Sequence, residues 1–302
     1  MERSGLIVLN KPQGITSRQA VDVVKRLVRP AKTGHAGTLD PLATGVLVVC
    51  IGAATRLIEY VQRMPKRYRA TFLLGQSSPT EDIEGEITFH HEAPQPPLAE
   101  IHRAASGLTG EIMQRPPAFS ALKVQGRRAY DLARAGHDVD LQPRPVTIYR
   151  LDVLHYDFPE LGVEIECSSG TYVRSLGRDL AESLGSHAVM SSLLRSAIGG
   201  FRVEEACPPE QLTRENLSDW LLPPERAVEA LPAIRFDASE ARRIAAGLSV
   251  VRDLEAGEAP AAGIEHAAFG PDGRLLGIVA PISDGAWRAV RNMPATTEAS
   301  AS

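Results

Sequence analysis

The sequence predicts an α+β fold, with a mixed, mostly antiparallel sheet flanked by helices and a small β-rich C-terminal unit. Three observations predict it. Segments alternating apolar and polar residues with a period of two, 66–75 and 162–168, occur beside segments with helical spacing, 16–28 and 171–184. No regular strand–helix–strand alternation links them, which argues against a doubly wound parallel sheet. A stretch containing Pro208-Pro209, Pro223-Pro224 and Pro232 sets off the C-terminal segment.

Residues 5–9 (GLIVL) read as a short strand. Thr16-Ser17 opens a capped helix over 16–28, with Ala20, Val23, Val24 and Leu27 on one face. A glycine-rich loop, GHAGTLDPLATG, spans 34–45, and the apolar run VLVVCIG at 46–52 reads as a buried strand. In KRYRATFLLG, 66–75, Tyr68, Ala70, Phe72 and Leu74 share an apolar face while Arg67 and Arg69 point the other way. Val163, Ile165 and Cys167 share one side of the strand at 162–168. After a Ser-Ser-Gly turn, Tyr172, Leu176, Leu180 and Leu184 recur at helical spacing. The C-terminal segment holds a helix near 238–246 and a strand at 274–280, and a polar tail after Met293 is expected to be disordered. These divisions place a large domain at 1–231, a small one at 232–293 and a tail at 294–302.

With 43% hydrophobic and 23% charged residues among 302, the composition is that of a globular protein. No apolar stretch approaches the roughly 20 residues of a membrane-spanning helix. The N-terminal apolar run is too short for a secretory signal. Cys50, Cys167 and Cys207 show neither CxxC pairing nor metal-ligand spacing and read as reduced thiols of a cytoplasmic protein. The net charge of −4 argues against a nucleic-acid partner, but its distribution argues for one. Residues 1–70 hold 12 Lys+Arg against 4 Asp+Glu, and residues 111–150 hold 7 against 4. Segment 71–100 holds six acidic residues and no basic one. One basic face contacting phosphates accounts for this asymmetry, and so does an unevenly charged solvated surface.

Asp40 sits in Thr38-Leu39-Asp40-Pro41. A residue before proline is held extended, Pro41 has a fixed φ, and Gly34, Gly37 and Gly45 permit tight turns. Such a loop presents one carboxylate rigidly; equally, Asp40 could be a turn residue capping local amides. The loop has neither the GxxxxGK[ST] order of a phosphate-binding loop nor GxGxxG, and the chain has no GxSxG.

The string Gly34-His35-Ala36-Gly37-Thr38-Leu39-Asp40-Pro41-Leu42-Ala43-Thr44-Gly45 closely resembles the catalytic motif of the B-type tRNA pseudouridine synthases, the TruB family, which act on uridine 55. Lys11-Pro12-Gln13-Gly14-Ile15-Thr16-Ser17 resembles the family's opening segment. RPPAFSALKVQGRRAY at 115–130 resembles its PPxxSAxKxxGxxxY block, and Lys66-Arg67-Tyr68 and Gly170-Thr171-Tyr172-Val173-Arg174 also match. The motifs keep the family's order and cover roughly residues 5–200. The resemblance implies a pseudouridine-synthase fold that needs no cofactor and no metal. It implies that Asp40 attacks ribose or base during glycosidic cleavage, that Tyr68 stacks on an everted uracil, and that Arg174 pairs with Asp40. It further implies that His35 fills the space near the vacated base stack and that Leu193 packs on the everted base. Lys11, Tyr172, Lys123, Arg127 and Arg128 are the remaining implied RNA contacts, the last three within a gripping insertion at about 115–150. The C-terminal unit resembles a PUA-like RNA-binding domain, chiefly by position. One departure stands at Leu193-Leu194-Arg195, where the family more often has Leu-Arg-Arg.

Physically, these residues allow blander readings as well. Tyr68 on its apolar face could be a core tyrosine, although base–aromatic stacking worth about 1–3 kcal/mol suits the same face. Arg174 falls in the first turn of its helix, where the macrodipole disfavours a cation; pairing with Asp40 gives a reason for the misplaced charge. In a pocket dry enough for uracil an aspartate's pKa would rise, and a guanidinium offsets that. His35 could be polar filler. His90-His91 has no third ligand in view. Arg127-Arg128 with Tyr130 and Arg134 could be a solvated face or an arm on the T-stem phosphates.

The leading expectation is therefore a monomeric cytoplasmic enzyme isomerising a T-arm uridine of tRNA. Its rivals are a tRNA-gripping module without chemistry and a guide-RNA-dependent pseudouridine synthase. A sugar-directed glycosidase is more distant, because the motif has no second carboxylate.

Overall fold

A computed structural model of the chain describes residues 4–119, 123–124, 127–128, 141–252, 263–283 and 285–294, with the backbone alone at 123–124, 127–128 and 283. Tyr130 and Arg134 lie outside the described residues, as do 295–302 of the tail.

The N-terminal strand β1 (Gly5–Lys11) leads into α1 (Ser17–Val28), then β2 (Thr33–His35) and β3 (Thr44–Ile51). A short helix, α2 (Ile58–Arg63), precedes β4 (Lys66–Leu74), and a two-residue hairpin pairs β5 (Gln76–Ser77) with β6 (Thr88–Phe89). Helix α3 (Leu98–Gly107) is followed by β7 (Gly110–Gln114) and a second hairpin, β8 (Lys123–Val124) and β9 (Arg127–Arg128). The remaining elements up to 202 are β10 (Arg144–Asp157), β11 (Glu160–Cys167), α4 (Val173–Ser183), β12 (Ala188–Ile198) and β13 (Phe201–Arg202).

Nine of these strands form one sheet in the order β1-β3-β12-β4-β11-β10-β7, with β2 on β3 and β13 on β12. All its pairings are antiparallel except β12 with β3, where Leu194 faces Thr44 and Arg195 faces Gly45. The mostly antiparallel sheet follows from the alternation: along β4, Tyr68, Ala70, Phe72 and Leu74 are buried, while Arg67 and Arg69 pair across to Glu166 and Glu164 at 3.0 Å on the open face. Helices α3 and α4 cover the buried face, where Phe72, Ile165, Leu176 and Leu180 share one core. Gly177 lets α4 approach closely, since a Cβ there would stand 2.1 Å from the Phe72 ring.

Helix α1 begins at a capping box between Thr16 and Gln19 and covers the other half of the sheet. Its buried face is Ala20, Val21, Val24 and Val28, rotated from the expected Ala20–Val23–Val24–Leu27 stripe. Docking on Ile7, Leu47 and Val49 selects the 20/24/28 row and leaves Val23 and Leu27 at its margin. Helix α4 starts two residues later than its periodicity suggests, because Tyr172 is extended (φ −98°, ψ 110°) and caps it.

The proline-rich stretch runs along the free edge of β1: Leu6 exchanges two backbone hydrogen bonds with Leu222, and Cys207 bonds Val8 and Asn10. An open strand edge is thereby covered. Beyond it, β14 (Ala233–Arg235), α5 (Ala238–Ala245), β15 (Val250–Val251), β16 (His266–Phe269), β17 (Leu275–Ser283) and β18 (Ala286–Asn292) build a separate five-stranded sheet, β14-β16-β17-β18-β15. It has its own core around Phe236, Ile244 and Trp287. It also packs Ala267, Leu275 and Ile278 into a core shared with Val46, Val48 and Leu57. Arg63 to Glu265 at 2.8 Å and Arg56 Nη1 to the Asn292 carbonyl at 2.6 Å add polar contacts. Among the described residues, no helix is long and apolar enough to cross a membrane.

Candidate active site

The loop between β2 and β3 is gripped by buried side chains from three other elements. Ser17, 2% exposed at the start of α1, takes the Leu39 N–H at 2.8 Å and donates its own hydroxyl to the Leu39 carbonyl at 2.9 Å. Lys11, fully buried at the end of β1, donates to the carbonyls of Pro12 (2.9 Å), Ile15 (2.7 Å) and Pro41 (3.4 Å). Arg195, 2% exposed on β12, donates to Val46 O at 2.7 Å, Gly37 O at 3.0 Å and Thr38 O at 3.4 Å. Gly45 is required where the loop rejoins the sheet: its φ is +99°, and a Cβ would stand 2.3 Å from the Arg195 carbonyl. The main chain on both sides of Asp40 is thus fixed, and its side chain remains 40% exposed.

Arg174, 8% exposed, reaches Asp40 with Nη2 at 3.0 Å. Its other contacts are the Asp82 carboxylate at 3.3 Å, the Thr80 carbonyl at 2.7 Å and the Phe119 carbonyl at 3.2 Å. Asp82 is itself 2% exposed and accepts from Thr80 Oγ1 at 2.6 Å and from the Glu84 N–H at 3.1 Å. This segment is pinned in turn: Glu81, at φ +61°, pairs with Arg178 and accepts from Ser175 Oγ at 2.8 Å, and its carbonyl accepts from the Met190 N–H. Burial pushes the Glu81 carboxyl up, against the opposing Arg178 charge.

Asp40, Arg174, Tyr68, Leu193 and His35 line a single cleft of about 1340 Å³. Tyr68 and Leu193 are each 8% exposed on neighbouring strands β4 and β12 and supply an apolar floor. Burial raises the Tyr68 phenol, with the adjacent Arg195 guanidinium opposing, so the hydroxyl is neutral at physiological pH. Burial lowers the His35 imidazole, which is therefore neutral at the cleft wall. Burial also depresses the Lys11 ammonium to about 8, against the attraction of Asp40 and Glu84.

The structure therefore brings together five of the residues singled out in the sequence: Asp40, Tyr68, Arg174, His35 and Leu193. Tyr172 also lines the cleft, as the cap of α4, with its backbone held by the Gln114 amide at 2.8 and 3.1 Å. Lys11 does not face the cleft as an RNA contact should; its ammonium is spent on backbone carbonyls, which makes it a support of the loop. Lys123 and Arg127–Arg128 form a hairpin in which Lys123 faces Arg128, and their side chains lie outside what is described, as does most of the 115–150 insertion. Sequence reasoning missed Ser17, Asp82 and Glu81, and read Arg195 only as the retained half of a basic pair. Among the described residues, no group of three or more His, Cys, Asp or Glu could hold a metal ion.

Chemically, the cleft offers the partly exposed, fixed Asp40 carboxylate on a guanidinium that Asp82 braces from behind, a neutral phenol and an apolar floor. Residues 25–173 match the family model described as TruB family pseudouridylate synthase, N-terminal domain. The tRNA pseudouridine synthase B of Arthrobacter sp. (strain FB24) is 44% identical over 287 residues, covering 92% of either chain. That of Thermobifida fusca (strain YX) is 41% identical over 283 residues, covering 91% of this chain and 93% of its own. Among solved structures, a Cbf5-Nop10-Gar1 complex contains a chain 27% identical, with a TM-score of 0.71 over 93% of this chain and 79% of that one.

Proposed function

Because the chain belongs to the TruB family of pseudouridylate synthases, we propose that it isomerises uridine to pseudouridine in tRNA, at position 55 of the T-loop. The observation that carries this reading is the Asp40 carboxylate held 3.0 Å from the Arg174 guanidinium in a cleft floored by Tyr68 and Leu193. The target uridine is extruded from its loop at a cost of a few kcal/mol, and stacking on the Tyr68 ring offsets part of that cost. Asp40 acts on the nucleotide as the N1–C1′ bond breaks, and uracil rotates and rejoins C1′ through C5. The hydrogen carried by C5 leaves as a proton and N1, freed from the sugar, takes one up, so atoms and electrons balance as an isomerisation and neither cofactor nor metal is needed. Arg174 keeps Asp40 oriented through a charge-assisted contact at 3.0 Å, and the neutral Tyr68 hydroxyl is available for proton transfer.

The five-stranded C-terminal sheet acts as a PUA-like RNA-binding domain beginning at about residue 232, and the enzyme works as a cytoplasmic monomer. The guide-RNA-dependent alternative has a structural parallel in a chain from a multiprotein Cbf5-Nop10-Gar1 complex, at 27% identity. The higher identity to relatives named as tRNA pseudouridine synthases, over nearly the whole sequence, favours a tRNA-modifying enzyme over that alternative. Incubating the purified protein with an unmodified tRNA transcript and mapping pseudouridine decides between them. Product at position 55 without any second RNA is expected; an unmodified T-loop overturns the proposal.

A further inference from the structure

The arginines lining the cleft differ in what they hold. Arg18 is paired with Asp22 at 3.1 Å, Arg174 with Asp40 and Asp82, and Arg195 is enclosed by carbonyls. Arg144, at the start of β10, has no carboxylate within ion-pair distance among the described residues. Its guanidinium lies over the Tyr172 ring, 5.0 Å from the centroid, and one Nη2 hydrogen goes to the Gly170 carbonyl at 2.6 Å. These two contacts fix the plane of the fork, and among the described residues no other hydrogen bond takes its remaining donors. Beside it is the turn Ser168–Thr171, which also lines the cleft, with Ser169 exposed at its tip. That turn is rigid: Ser168 exchanges hydrogen bonds with Thr147 at 2.8 and 2.9 Å, and Thr171 Oγ1 donates to the Ser168 carbonyl at 3.2 Å.

A stacked, pre-oriented and uncompensated guanidinium suits a planar or tetrahedral oxyanion. An everted nucleotide in this cleft carries a phosphodiester on either side of its sugar, which must lie at the rim while the base occupies the Tyr68–Leu193 floor. We infer that Arg144, with the Ser169 hydroxyl beside it, binds one of the two RNA phosphodiesters flanking the target uridine. This rests on the RNA-modifying function proposed above. Tyr172 then acts as the platform that holds Arg144, one ring face being taken by the guanidinium.

The test uses a T-arm hairpin RNA in which each linkage flanking the target uridine is replaced in turn by a neutral methylphosphonate. With wild-type protein, one replacement is expected to raise KM about ten-fold with kcat nearly unchanged, the scale of one charge-assisted hydrogen bond. Arg144→Gln on the unmodified hairpin is expected to show the same rise and to be indifferent to that replacement, whereas Arg144→Lys is intermediate. The neutral linkage probes the contact in the unaltered protein, so the result stands even if a variant folds poorly. If both flanking replacements weaken Arg144→Gln as much as wild type, or neither affects wild type, Arg144 holds no phosphodiester there. If wild type fails to convert the unmodified hairpin and full-length tRNA alike, the underlying function is overturned together with this inference.

Discussion

Ser17→Ala removes a single oxygen that does not belong to the reacting groups. In the structure that oxygen satisfies both the N–H and the C=O of Leu39, at 2.8 and 2.9 Å. Ser17 is 2% exposed and Leu39 3%, so water cannot readily replace it. Each of the two buried groups left unpaired costs about 1–3 kcal/mol, so the variant should lose about 2–6 kcal/mol of stability. For a chain of this size that corresponds to a fall of roughly 3–10 °C in the unfolding midpoint. Leu39 immediately precedes Asp40, and misplacing a reacting carboxylate by a fraction of an ångström to 1 Å costs about ten- to a hundred-fold in rate. Thermal unfolding measures the first effect. Single-turnover release of tritium from C5 of labelled uridine in tRNA measures the second, with tRNA affinity expected to hold within about two-fold. A variant with wild-type midpoint and wild-type turnover refutes the view that α1 holds the loop for catalysis.

Asp82→Asn removes one of the two carboxylates on Arg174 while leaving its carbonyl partners. A loss of about 2–3 kcal/mol in denaturant unfolding is expected, with turnover falling more than tRNA affinity; equal losses in both would contradict a role through Arg174. Cys50 is fully buried, and burial alone raises its thiol from 9.0 to about 12. Between those values the folded state keeps a proton the unfolded state loses, so stability is complete below pH 9 and falls as pH rises, by up to about 1.4 kcal/mol per pH unit. Comparing unfolding of wild type and Cys50→Ala from pH 8 to 11 should show a gap between them that shifts towards the variant; parallel curves would argue that burial does not raise the thiol in the folded state.

The sheet and the loop were legible because local rules and tertiary packing agree there. The alternation along 66–74 is kept as Tyr68 to Leu74 inward and Arg67 and Arg69 outward. The glycines and Pro41 mark a loop, which the structure narrows to 36–43, since Gly34 and His35 end β2 and Thr44 and Gly45 open β3. Arg174, placed at the wrong end of a helix dipole, pointed to an anion, and it meets Asp40. Less legible was whatever depends on distant segments with no periodicity of their own. Asp82 reads as one of six acids in a charge run, and nothing local says that it folds back onto Arg174, 92 residues on. Arg195 has the spacing of a strand residue with no sign of which face it takes; register with Gly45 turns it inward onto the loop carbonyls. Lys11 stands in a family-like segment that suggests RNA, yet three carbonyls converge on its ammonium. In α1, two overlapping apolar rows compete, and only docking on β1 and β3 selects between them.

Asp40→Asn addresses the central claim most directly, since it keeps the side chain's shape and its reach to Arg174 while removing the charge. Quantitative tRNA binding combined with pseudouridine mapping after prolonged incubation is the measurement. Unimpaired binding with no detectable product is predicted; substantial conversion by the asparagine variant would contradict the assignment of Asp40 as the group on which the isomerisation turns.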